Sequence, residues 1–354
     1  MTTTKTLKNA VMSVACASLL STVAVPLSVT SAMAAEVDGP KIKWLMSMWG
    51  NRRGFSEGVE GLAAYVSEKT DGNFQIDIQY GGVLSAPKEN LDGLSLGAFE
   101  SAVFCATYHP DKIPGLNGLG LAALPIGSLE AKVDVIEAYY KNPVIAAGYA
   151  KWNSVPLLGI PMPSYEAMGK GDAPKTVDDW KSISLNSSGG VGRMMAALGV
   201  NTTVMPAPEV YQGIDRGIIN GTTFPYTYAF ASYRLHEISD WLTDNWSMGA
   251  IVCHAAANKA AYDALPPQYK QLLEDSKAAA YAHQIQNYKD VDVINEKAFE
   301  EAGLERIPMT DEIRAAVDAA AAPSWTAWVD GLNDDGVDGQ SLLDYLLKAA
   351  ADAG

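Results

Sequence analysis

Residues 178–190 read Asp178-Asp179-Trp180-Lys181-Ser182-Ile183-Ser184-Leu185-Asn186-Ser187-Ser188-Gly189-Gly190. An apolar helical run with Met194, Met195 and Leu198 follows, then Val204 to Glu209 and Tyr211. The stretch ends in Asp215-Arg216-Gly217-Ile218-Ile219-Asn220-Gly221-Thr222-Thr223-Phe224-Pro225. Short strand, Gly-rich turn, helix, second strand and second helix succeed one another, which is the alternation of an α/β lobe. Loops at the strand ends of such a lobe are where small ligands sit.

Upstream the same alternation is legible. Residues 41–48 form a first strand with Ile42, Leu45 and Met46 apolar and Trp44 and Trp49 near its ends. Phe55, Val59, Leu62 and Val66 follow at helical spacing and stop at Thr70-Asp71-Gly72. Phe74, Ile76, Ile78 and Tyr80 alternate as a strand does. Gly81-Gly82 then turns the chain into a helix with Leu91, Leu94 and Leu96, and residues 102–105 make a short apolar strand. Downstream, residues 155–160 read as a crossing strand and 236–246 as a return crossing. Residues 247–253 read as an apolar strand, 255–295 as mostly helix opened by Pro266-Pro267, and 310–354 as alanine-rich helix.

Residues 1–34 read as a secretory leader, with Lys5 and Lys8, an apolar stretch from Ala10 to Val29 and Ala32-Met33-Ala34 as cleavage site. Pro26 and several Ser and Thr interrupt the apolar run, which argues against a membrane anchor. The chain beyond the leader is long enough for two domains. Hydrophobic residues make up 48% of the chain, so it is globular, and the net charge of −15 argues against nucleic acid or an anionic membrane as partner. Beyond the leader two cysteines remain, Cys105 and Cys253. In an oxidising compartment they either pair or stay as two buried apolar thiols.

Ordered motifs across residues 41–274 give the chain a family resemblance. They are Thr70-Asp71-Gly72, Gly81-Gly82-Val83-Leu84, Leu91 to Glu100, Leu124-Pro125, Asp179 to Ser182, Glu209-Val210-Tyr211, and the turn from Asn220 to Pro225. In this order they resemble the extracytoplasmic solute-binding proteins of TRAP transporters, the DctP family. The resemblance implies an α/β, two-lobed periplasmic binding protein with a central ligand cleft and C-terminal helices. On that plan 35–156 begin lobe I, 157–243 form lobe II, 244–295 return to lobe I, and 296–354 brace the lobes, with hinge strands near 155–160 and 240–246. It also implies a periplasmic receptor, expected as a monomer, that captures a small-molecule solute and delivers it to TRAP membrane permease subunits. The chain departs from the family twice. Asn186 stands where the family has a carboxylate-binding arginine, and Phe224 stands where an asparagine is frequent.

Catalytic signatures are missing. There is no G-x-S-x-G elbow, Walker loop, H-E-x-x-H or paired C-x-x-C, and the four histidines have no metal spacing. The run from Asp334 to Gly339 lacks the third-position acid and closing Glu of a calcium loop. A receptor without enzymatic activity or cofactor is therefore expected; an exported enzyme or a sensory receptor on the same scaffold are the alternative classes. Because Asn186 carries no charge, a neutral or cationic ligand is expected. Trp49, Thr107, Tyr108, Asn186, Phe224, Tyr226, Tyr228 and Trp246 are candidate site residues, with Glu166 as the acid that would suit an amine among aromatic faces. The alternative is an organic acid held by a displaced guanidinium from Arg52, Arg53 or Arg193.

Overall fold

The computed structural model describes residues 35–354; the expected leader lies outside the described residues. Strands β1 (Ile42–Ser47), β2 (Phe74–Gln79), β3 (Ser101–Cys105) and β4 (Ser154–Ile160) precede a second group. That group comprises β5 (Tyr165–Gly169), β6 (Ser184–Asn186), β7 (Asn201–Thr203), β8 (Gly221–Pro225) and β9 (Trp241–Asp244), and β10 (Cys253–Asn258) and β11 (Glu305–Pro308) follow. They make two mixed sheets, ordered β2-β1-β3-β10-β4 and β11-β9-β5-β8-β6-β7. Each sheet with its helices is one lobe.

Local sequence explains the first lobe. The helix Glu57–Lys69 buries Val59, Leu62 and Val66, three and four residues apart. Thr70 stops it: its hydroxyl donates to Val66 O at 2.8 Å and accepts from Phe74 N at 2.9 Å, and Asp71 and Gly72 follow at positive φ. Strand β2 starts at once, with Phe74 and Ile76 buried and Gln75 exposed, and pairs parallel with β1. The helix Pro267–Glu301, with proline in its first turn, packs along Glu57–Lys69.

Two segments differ from the sequence reading. The return strand is 253–258, not 247–253, because Asn245, Ser247 and Gly249 all have positive φ and break an extended run. Ala255, Ala256 and Ala257, helix formers by propensity, are wholly buried between β3 and β4, so tertiary pairing overrides propensity. The second difference is β11. It adds to the edge of the second sheet beside β9 with Ile307 buried, so the chain enters that sheet again after the long helix.

The chain passes between the sheets at residues 161–164 and 245–252, and a third time through 259–304 with the long helix; β4 itself pairs along its length with β10 in the first sheet. Cys105 and Cys253 face each other across β3 and β10 and form a disulfide. Of the last two helices, Asp311–Asp334 contacts Gly189–Ala197 of the second lobe and Gly339–Ala353 contacts Leu129–Tyr140 of the first. Among the described residues no helix is long and apolar enough to cross a membrane.

Candidate functional site between the lobes

Four strands converge on one place. Trp49 follows the carboxyl end of β1 and Tyr108 that of β3, while Asn186 ends β6 and Phe224 lies near the end of β8. Together with Phe55, Tyr165, Tyr228 and Tyr233 they wall a cavity of about 50 Å³ between the lobes. Strand ends at the junction of two sheets are the usual place for a small ligand.

Arg53 is the one charged side chain among the described residues lining this cavity. It is 9% exposed. Its Nη1 donates to Trp49 O at 3.0 Å and Asn51 O at 2.7 Å, and its Nε is buried without a partner. The guanidinium carbon lies 4.6 Å from the Phe55 ring centre and 5.4 Å from that of Tyr233. The backbone here is fixed by Ser56, whose hydroxyl accepts from Arg53 N at 2.9 Å and donates to Arg53 O at 2.8 Å. Among the described residues no carboxylate lines the cavity, so this cation has aromatic faces and carbonyls around it but no counter-charge.

Arg52, its neighbour, points outward and makes a two-bond pair with Glu57, Nε to Oε1 at 2.7 Å and Nη2 to Oε2 at 2.9 Å. Asn186 is buried in the wall but occupied: its Nδ2 donates to Thr222 Oγ1 at 2.9 Å and its Oδ1 accepts from Met205 N at 2.8 Å. The amide thus ties β6 to β8 and to the loop after β7. Tyr108 bridges the lobes, its hydroxyl accepting from Ala207 N at 3.0 Å. Burial raises its phenol pKa, so it stays neutral.

Thr107 and Arg193 line a neighbouring pocket rather than this cavity. Glu166, Tyr226 and Trp246 are elsewhere. Side chains alternate along β5, so Tyr165 faces the cavity and Glu166 a separate acidic groove with Asp244, Asp292 and Glu296. Tyr226 lies in that groove, bonded to Glu296 and to Arg306 Nη1. Trp246 is core, its Nε1 donating to Ile307 O at 3.0 Å and its ring 4.9 Å from that of Trp180. The aromatic cage with an acid that would suit an amine is not assembled around Glu166. Among residues the sequence reading missed, Tyr165 could have been found by strand alternation; Tyr233 and Met205 carry no local signal.

Glu166 has a measurable consequence of its own. Burial pushes its carboxyl up to about 7, against hydrogen bonds from Ser247 N and the Thr243 hydroxyl that pull it down. The folded state therefore binds the proton more tightly than the unfolded chain. Its contribution to stability is full below the ordinary pKa of 4.5 and lost as pH rises through about 7. Between those limits the wild type is expected to lose on the order of 2 kcal/mol relative to Glu166→Gln. Parallel urea titrations of the two proteins across this range check it; parallel pH profiles would refute it.

The lobes meet closely at Gly190. A Cβ there would lie 2.3 Å from Gly120 O and 2.6 Å from Ala122 N, both backbone atoms that cannot turn aside. Gly190→Ala is expected to wedge this contact at about 1–3 kcal/mol. Small-angle scattering is expected to record a larger radius of gyration, and an unchanged radius with an unchanged melting point would exclude the wedge.

Comparison with known proteins accords with this architecture. The curated monocarboxylate 2-oxoacid-binding periplasmic protein of Nostoc sp. is 25% identical over 319 residues, covering 87% of this chain and 85% of that one. The ectoine/5-hydroxyectoine-binding periplasmic protein of Ruegeria pomeroyi is 28% identical over 148 residues, 40% of this chain and 41% of its own length. A marine metagenome TRAP solute-binding protein specific for aromatic acid ligands superposes with a TM-score of 0.80 at 21% identity, over 89% of this chain and 99% of that one. These proteins are binding proteins rather than enzymes, and members of their family are extracytoplasmic receptors that work with membrane permease subunits. Residues 47–330 match the model for bacterial extracellular solute-binding protein, family 7, so the two-lobed chain belongs to the DctP family of TRAP-type extracytoplasmic solute receptors.

Proposed function

We propose that this receptor captures a small organic carboxylate, with the guanidinium of Arg53 as its counter-charge and the aromatic walls around Trp49, Tyr108 and Phe224 as its apolar seat. The observation that carries the reading is the buried, unpaired cation in a cavity without acids. A buried ion without a partner is costly, and a ligand carboxylate relieves the cost. Asn186 taken alone favours a neutral or cationic solute. Its amide is already engaged on both sides, and the only acid proposed for an amine, Glu166, lines a different groove. The monocarboxylate 2-oxoacid-binding relative from Nostoc sp. supports the same ligand class.

The enclosed volume is far below the roughly 300 Å³ at which ligand pockets begin. Binding therefore requires the walls to move, and separation of the lobes about residues 161–164 and 245–252 is the economical motion. We further propose that the leader directs the chain to the periplasm, that the receptor works as a monomer without catalysis, and that it hands its solute to the TRAP permease subunits.

The test is a thermal-shift screen of the mature protein against matched carboxylates, amines, polyols and neutral aromatics. Small carboxylates are expected to stabilise it, by about 2.7 kcal/mol at a hundredfold excess over Kd. Stabilisation by amines or neutral solutes and not by acids would overturn the carboxylate reading. Turnover of a bound solute would overturn the non-catalytic one.

A further inference from the structure

A second pocket of about 420 Å³ adjoins the first and shares Tyr108 and Ser188 with it. Lys88, Thr107 and Asn117 enter it from the first lobe, Ser188 and Arg193 from the second. Its charged residues are the cations Arg193 and Lys88 and, among the described residues, no carboxylate lines it, in a chain with 41 acids against 26 lysines and arginines. Arg193 Nε and Nη2 are buried with no hydrogen-bond partner, and so is the hydroxyl of Thr107 on the opposite wall. Two guanidinium donors and a hydroxyl beside the pocket are thus shielded from solvent with no partner in the protein, and opening of the lobes would bring them within reach of one. An unpartnered buried donor on a charged group is the costlier kind, and burial accordingly lowers the Arg193 pKa.

We infer that this pocket is a second anion site, in which Arg193 takes a small oxyanion with help from the Thr107 and Ser188 hydroxyls and Lys88 at the mouth. Guanidinium nitrogens match the spacing of two oxygens on carboxylate, sulfate or phosphate. Because its walls come from both lobes, an oxyanion here would favour the closed arrangement. The oxyanion has two possible sources, a free inorganic ion or a second carboxylate on the solute itself. Only the second source rests on the carboxylate reading of the first cavity.

The experiment uses the mature protein, Arg193→Met, Arg193→Gln and Arg53→Met. In one arm sulfate is titrated against sodium chloride at matched ionic strength and melting is followed. In the other, Kd is measured for dicarboxylates and the monocarboxylates of matching skeleton. A free-ion site predicts a saturable rise of about 3–5 °C in wild type and Arg53→Met that both Arg193 variants lose. A solute-borne carboxylate predicts instead that wild type prefers dicarboxylates at least about tenfold, and that the preference disappears in the Arg193 variants. Wild-type curves show whether an anion binds, and either Arg193 variant that folds assigns it, so the test survives the loss of one of them. A linear, unsaturated sulfate response marks general exclusion from the surface, and with no dicarboxylate preference it overturns the site. Effects that persist in both Arg193 variants overturn it too. Loss of monocarboxylate binding only in Arg53→Met concerns the first cavity alone, so the two readings fail separately.

Discussion

Arg53→Met is expected to weaken carboxylate binding by about 100-fold or more while leaving the fold intact. Truncating one partner of a buried hydrogen-bonded charge pair costs about 2–5 kcal/mol, and about 3 kcal/mol corresponds to roughly 150-fold in Kd. Methionine keeps the apolar length of the side chain beside Phe55 and Tyr233 and removes a cation whose Nε has no partner in the protein. The structural loss is the bonds to Trp49 O and Asn51 O and the cation-π contacts with the two rings. Arg53→Lys keeps the charge without the fork and is expected to fall between, about tenfold weaker than wild type. Calorimetric titration with the tightest acid from the screen measures all three, and thermal melts without ligand report folding. Arg52→Met is the control, since that exposed side chain pairs with Glu57 and does not line the cavity. Equal Kd values for wild type and Arg53→Met would remove Arg53 from the site, and a larger loss in Arg52→Met would invert the assignment.

Why the sequence leaves Arg52 and Arg53 undistinguished is physical. Adjacent residues in an extended segment point to opposite sides, and which side is inside depends on the turn that comes next. That turn is set by Ser56 bonding back to Arg53, a contact with no signature of its own. Elements with strong periodicity, such as Val59-Leu62-Val66 and Phe74-Ile76, are legible because burial and period agree. The strand 253–258 is not, because three consecutive alanines carry helix propensity and only the sheet reveals their burial. That residue 186 is an uncharged asparagine is legible in the sequence. That its amide is spent on Thr222 and Met205 is a three-dimensional fact. Glu166 and Tyr165 are neighbours on one strand, and choosing between them needed the face of the sheet that looks into the cleft.

The disulfide carries the second large effect. Cys105 and Cys253 are opposite each other on antiparallel strands and both are buried, so the bond pins the last pair of a ladder that the strands already form. Its larger effect on stability falls on the unfolded chain, where it closes a loop of sequence separation 148. Native disulfides are typically worth about 2–4 kcal/mol, with longer loops toward the upper end in the chain-entropy account. The double variant Cys105→Ala/Cys253→Ala is therefore expected to be about 3 kcal/mol less stable and to melt about 5 °C lower. Wild type in reductant is expected to follow the variant, and denatured, unreduced mature protein is expected to titrate no free thiol. A variant that melts with wild type, or two free thiols in the untreated protein, would contradict the bond's role. The position ties stability to binding as well. Cys253 opens the strand by which the chain re-enters the first lobe, and Cys105 lies on the cavity wall two residues before Thr107 and three before Tyr108. Untying the strands loosens the segment that carries Tyr108 to Ala207 across the cleft. The same double variant is therefore expected to bind carboxylates several-fold more weakly through the cost of ordering that segment, with the loss in the closing step rather than in the charge pair. Under that account the ratio of wild-type to Arg53→Met affinities stays the same with and without the disulfide, as it does for independent sites.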